Sequence, residues 1–87
     1  MARVVTVFSK EGCHLCEAVI AALRPLSSRY GFEVRVLDIV EDRKLHDLYS
    51  LRVPVVKVAD EVIFEARDMK SPTDCEAQLE PLVSRLA

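Results

Sequence analysis

The chain is 87 residues long, 51% hydrophobic and 30% charged, which suffices for one domain around a modest core and leaves no material for a second. Twelve Lys+Arg stand against 14 Asp+Glu for a formal net charge of −2, and no basic run is interleaved with aromatics, so an electrostatic footprint for nucleic acid is missing. The longest apolar stretches, around Val4–Phe8 and Ala18–Leu23, fall far short of the roughly 20 residues that span a bilayer.

Arg3–Ser9 (RVVTVFS) is a short β-branched run ended by polar residues, the pattern of a strand buried on both faces of a sheet. After Lys10-Glu11-Gly12, the residues Cys16, Val19, Ile20 and Leu23 recur at i, i+3, i+4 and i+7, which predicts a helix opening at about Cys13. Pro25 lacks an amide hydrogen and its ring crowds the carbonyl of Ala21, so that helix is expected to kink or end there. Phe32–Asp38 alternates apolar Phe32, Val34 and Val36 with polar Glu33 and Arg35, the period of a strand. A helix between two strands predicts a parallel pair joined by a right-handed crossover.

Asp42–Leu51 carries Leu45, Leu48 and Tyr49 at helical spacing, a short second helix. Val55–Val58 and Val62–Phe64 are two strands with a turn near Ala59-Asp60, hence an antiparallel hairpin. The last helix is announced by Ser71 as N-cap, Pro72 in the first helical position and Asp74 three residues after the cap. Leu79, Leu82, Val83 and Leu86 then fall on one face. The expected order is β-α-β-α-β-β-α, an α/β fold with a four-stranded mixed sheet flanked by helices, as one domain over 1–87. No repeat or linker interrupts it. The opening residues Met1-Ala2-Arg3-Val4 lack the regions of a signal peptide, and a soluble, cytoplasmic monomer is expected.

Three cysteines suit neither a disulfide scaffold nor a complete cysteine zinc site. Two of them form Cys13-His14-Leu15-Cys16. Thiols three residues apart at the start of a helix can reach one another, while only the first lies beside unpaired backbone amides. Cys13 is therefore expected to be the exposed nucleophile, with a pKa below the roughly 8.5 of a free thiol. Cys16, one turn in, is expected to resolve the mixed disulfide that Cys13 forms. The same spacing also supplies half of many zinc sites. A binding module with metal-holding or non-catalytic cysteines is thus the alternative, although no third and fourth ligand presents itself and no metal is expected.

Two readings stand for each neighbour of the pair. His14, if protonated, stabilises the Cys13 thiolate, or it is a solvated helix-start residue. Lys10 attracts the thiolate or a glutathione carboxylate, or is a solvated turn lysine. Leu15 faces a partner, or packs against the loop that carries Pro54. Cys75 is a small apolar filler, or a site of glutathionylation or intermolecular bridging, and His46, beside Arg43, Lys44 and Asp47, belongs to a solvated face.

The segment Phe8-Ser9-Lys10-Glu11-Gly12-Cys13-His14-Leu15-Cys16 resembles the strand, turn and CxxC of glutaredoxins, and Val53-Pro54 resembles the proline that precedes the third strand across the thioredoxin-fold superfamily. The resemblance implies a thioredoxin-like fold, a cis Val53–Pro54 bond beside the cysteines, and pairing of the Val53 backbone with a bound peptide or glutathione. It also implies thiol–disulfide exchange on protein or glutathione mixed disulfides, with glutathione as a co-substrate and no tightly bound cofactor. The chain departs from glutaredoxins at His14-Leu15 and at Ala66-Arg67-Asp68-Met69-Lys70, where those proteins carry Pro-Tyr and a Gly-Gly segment followed by acidic residues. CHLC with RVPVV (Arg52–Val56) is similar to the small glutaredoxin-like proteins.

Overall fold

The computed structural model describes residues 3–86. Its strands are β1 (Arg3–Ser9), β2 (Phe32–Asp38), β3 (Val55–Val58) and β4 (Glu61–Glu65), and its helices α1 (His14–Tyr30), α2 (Arg43–Tyr49) and α3 (Cys75–Val83). The sheet order is β2-β1-β3-β4. β1 and β2 are parallel from Arg3↔Phe32 to Ser9↔Asp38, whereas β3 runs antiparallel to both β1 and β4. This is the mixed four-stranded α/β arrangement expected from the sequence. Among the described residues, no helix is long and apolar enough to cross a membrane.

Alternation along the central strands divides the interior in two. Val5, Val7, Val56 and Phe64 pack with Val19, Leu23 and Leu26 of α1 and Leu79 and Val83 of α3. Their chain neighbours Phe8 and Val55 belong instead to a second cluster with Cys16, Ile39 and Val53, against which Cys13, Leu45 and Tyr49 pack. Adjacent strand residues point to opposite faces, so α1 and α3 cover one face and α2 rests on the other, beside the dithiol.

Several boundaries differ from those expected. α1 passes through Pro25 and ends at Gly31, whose φ of 74° and N–H donated to Ser27 O at 2.8 Å close a left-handed cap. Pro25 and Ala21 are both exposed, so the carbonyl freed at Ala21 is open to water, while Leu26, wholly buried, anchors the turn beyond. α2 is shorter than Asp42–Leu51: Asp42 caps its start through Lys44 N and Leu45 N, and the amides of Arg52 and Val53 both turn back to Tyr49 O. β4 is one residue longer at each end than Val62–Phe64. The hairpin turn holds Ala59 at a φ of 54°, a left-handed conformation without glycine.

At the last helix, Ser71 Oγ does accept the amide of Asp74 at 3.2 Å, but the contact closes a turn rather than the first turn of α3. Asp74 sits at φ −100°, ψ −3°, and the helical ladder opens with Gln78 N donating to Asp74 O. Leu86 lies in the 3-10 turn Ser84–Leu86 beyond the helix. α1 and α3 are further joined where Tyr30 Oη donates to Glu80 Oε2 at 2.7 Å and Arg29 pairs with the same carboxylate.

Candidate active site

Cys13 is the N-cap of α1, in extended conformation at φ −92°, ψ 101°. Gly12 precedes it at φ 78°, a conformation that glycine adopts without strain, and Cys13 N donates to Lys10 O at 3.3 Å. The turn thus places the sulfur of Cys13 at the mouth of the helix, where the amide of Cys16 donates to it at 3.1 Å. The Cα atoms of Cys13 and Cys16 are 5.2 Å apart and their sulfurs stand at disulfide-bonding distance. Cys13 is half-buried, whereas Cys16 is 2% exposed. Of the two, Cys16 is the more deeply buried.

The Val53–Pro54 bond is cis, as the resemblance implies, and Val53 lies in the same cluster as Cys16 with Cys13 packed against it. The N–H of Val53 donates to Tyr49 O at 3.0 Å. Leu15 is 37% exposed. Lys10 is neither free nor turned to the sulfur: its ammonium donates to Ser50 O at 2.9 Å. His14, with a side chain 94% exposed, has Glu17 as its charged neighbour at 3.8 Å.

Cys75 is apart from this constellation. It belongs to the cluster on the other face, with its thiol directed to Pro72 O at 3.2 Å and Ala18 O at 3.5 Å, and burial pushes the thiol up from its ordinary range. His46 lies beside Asp47 at 4.0 Å. The segment Ala66–Asp68 forms a 3-10 turn in which the Asp68 carboxylate accepts the amide of Glu65 at 2.9 Å. Among the described residues no group of three or more His, Cys, Asp or Glu side chains is arranged to hold a metal ion.

Sequence reasoning missed a group of side chains next to the cis-proline. Glu65 is buried and receives a bidentate pair of bonds from Arg52, at 2.9 and 2.8 Å. The Arg52 guanidinium lies 4.9 Å from the centre of the Tyr49 ring, which stacks on Phe8 at 5.0 Å, and Lys57 lies over the other aromatic of the pair at 5.7 Å. The hydrogen bonds from Arg52, followed by its charge and that of Arg67, hold the Glu65 carboxyl below its ordinary range against the opposing effect of burial. The one available signal was a carboxylate closing the apolar run Val62–Phe64, with an arginine two residues ahead of the proline.

The sheet order, the cis-proline and the cysteine pair at the helix start together define a glutaredoxin-like protein of thioredoxin fold. The sequence profile of the "Glutaredoxin-like domain (DUF836)" matches residues 4–84, and the chain belongs to that family. It is similar in structure to protein Ne2328 from Nitrosomonas europaea, at 35% identity and a TM-score of 0.68, over 90% of this chain and 92% of that one. It is similar also to target protein XcR50 from X. campestris, at 26% identity and a TM-score of 0.63, over 88% and 96%. Thioredoxin 1 from Thermosipho africanus TCF52B, at 16% identity and a TM-score of 0.59 over 94% and 96%, shares the fold. No curated protein matches the chain in sequence. Family and cysteine geometry support a redox-type function in general terms.

Proposed function

We propose that the protein is a thiol–disulfide oxidoreductase in which Cys13 attacks and Cys16 resolves. The observation that carries this reading is the unequal burial of two cysteines whose sulfurs stand at bonding distance, the less buried one at the N-terminus of α1 and packed against the cluster that holds Val53. The amide of Cys16 aimed at the Cys13 sulfur favours the thiolate. That thiolate attacks one sulfur of a partner's disulfide, a Cys13–partner bond forms, and the partner's other sulfur leaves as a thiolate that takes a proton. Cys16 then gives up its proton and attacks Cys13 Sγ, so the Cys13–Cys16 bond forms as the second partner thiolate departs. Two electrons pass from the dithiol to the partner.

The substrate class is a disulfide-bearing protein or a glutathione mixed disulfide. A small thiol of the glutathione class returns the electrons as co-substrate, and no bound cofactor enters the cycle. Leu15 and the Val53 carbonyl meet the partner. We assign the activity to a monomer in the cytoplasm, where a close cysteine pair is kept available as a dithiol.

The test is a titration of the protein against graded glutathione buffers, with intact mass and alkylation locating the bond. A reversible Cys13–Cys16 disulfide with a defined midpoint is expected, together with loss of disulfide reduction in Cys13→Ser and accumulation of a mixed disulfide in Cys16→Ser. Unchanged reduction by Cys13→Ser overturns the reading.

A further inference from the structure

Among the described residues, Glu65 is the charged side chain drawn into the interior, at 6% exposure. It closes β4 directly opposite Val55. A carboxylate removed from water is costly unless cations and donors surround it, and here Arg52 supplies two bonds with Arg67 at 3.7 Å beyond. The carbonyl of Arg52 accepts the amide of Ala66 at 3.4 Å, so main chain and side chain both fasten Arg52 to the end of β4. On its other side the guanidinium rests on Tyr49, and through Tyr49 on Phe8, a member of the cluster that contains Cys16 and Val53.

Replacing a buried ion pair by an apolar pair of similar volume is often neutral or stabilising, so firmness alone does not account for the ions. What the ionic pair adds is direction, because a planar fork on a carboxylate admits one orientation. The residue so oriented is followed immediately by Val53 and the cis bond to Pro54.

We propose that Arg52 and Glu65 are positioning residues of the exchange reaction, holding the Val53–Pro54 edge where a partner polypeptide must lie for its disulfide to meet Cys13. The inference rests on the oxidoreductase reading, and it makes a distinction that a merely structural pair does not. A small reagent needs only the sulfur, whereas a peptide disulfide needs the sulfur and the edge.

The experiment compares two reactions of Cys13 in a Cys16→Ser background. One is alkylation by iodoacetamide. The other is attack on the symmetrical disulfide of a short cysteine peptide, in which the Cys13–peptide bond forms and one peptide thiolate is released, followed by mass. Arg52→Ala and Glu65→Gln are expected to slow the peptide reaction about tenfold, as misplacement of a docking group does, with the iodoacetamide rate within about twofold of the parent. Arg52→Lys, which keeps the charge without the fork, is expected to restore only part of the loss, and the double variant to lose no more than either single one. Equal slowing with both reagents, or no slowing with the peptide, overturns the proposal. Glu65→Gln preserves shape and serves the comparison if Arg52→Ala does not fold. The two-cysteine parent, assayed for turnover with a reductant, separates the two ideas: absence of turnover removes the oxidoreductase reading, while a selective loss of the peptide reaction still establishes the positioning pair.

Discussion

The ammonium of Lys10 donates to the carbonyl of Ser50 at 2.9 Å, across 40 residues of sequence. It ties the turn that enters the dithiol to the segment that enters the cis-proline. Ser50 is the C-cap of α2, where carbonyls lack helical partners and the helix presents its negative end, so a cation there satisfies both. Lys10→Met keeps the aliphatic stem and removes the donor. It is expected to lower stability by about 1.5 kcal/mol in urea denaturation, the low end for a bond made by a charged group, since the bond is only partly buried. The pH profile of Cys13 alkylation is expected to stay nearly in place, since the ammonium is aimed at Ser50; a large displacement would return Lys10 to a role at the thiolate.

The three thiols are expected to react in a fixed order. Cys13 is half-buried, whereas Cys16 and Cys75 are each 2% exposed. In the reduced protein Cys13 is alkylated first, and Cys75 only when the chain unfolds, a sequence that peptide mapping after timed alkylation reads directly. Burial raises the Cys75 thiol above its ordinary value, so the fold holds that proton more tightly than the unfolded chain does. The resulting stability is present below the unfolded thiol's pKa and is lost as pH rises through the folded one. Cys75→Ala is accordingly expected to flatten the alkaline limb of the stability profile.

The sequence revealed most where the signal is local. β1 and β2 were legible to the residue because β-branched runs and strict alternation end in polar residues at Ser9 and Asp38, and the dithiol was legible because CxxC follows a strand and opens a helix. Long-range partners were not. Whether Lys10 meets water, a sulfur or Ser50 depends on where residue 50 falls in space, and the Arg52–Glu65 pair depends on the register that sets Glu65 against Val55. The end of α2 failed for a related reason: Leu51 continues the apolar pattern, but the amides of Arg52 and Val53 are taken by Tyr49 O.

Pro25 offers a gain in stability. It lies inside α1, exposed, one turn after an exposed Ala21 whose carbonyl has no amide to accept. Pro25→Ala restores that bond and helix propensity, partly offset by the greater freedom of the unfolded chain, and is expected to stabilise by about 1–2 kcal/mol. By contrast Leu23→Ala, at a wholly buried position, is expected to cost about 2–5 kcal/mol. Urea midpoints of the two variants on opposite sides of the parent establish that α1 runs unbroken to Tyr30; destabilisation by Pro25→Ala shows that the proline fits a bend there.

The acid limb of stability is expected to depend on two carboxylates. Glu65 is held low chiefly by the hydrogen bonds from Arg52, and Glu80 by the hydrogen bond from Tyr30 and then that from Arg29. A carboxyl whose folded pKa lies below its unfolded one contributes stability above the unfolded value and loses it as pH falls through the folded one. The parent is therefore expected to weaken progressively as pH falls through and below the ordinary carboxylate range. Glu65→Gln should be less stable than the parent at pH 7, converge with it as acid protonates the parent's carboxyl, and show a flatter profile between. Glu80→Gln should behave similarly, with its loss confined to the contact between α1 and α3 and with peptide exchange at Cys13 untouched. Urea midpoints at several pH values and the exchange assay together separate the two: a Glu65→Gln profile parallel to the parent's would mean that its carboxyl titrates alike in the folded and unfolded chain, and that the bond to Arg52 does not hold in solution.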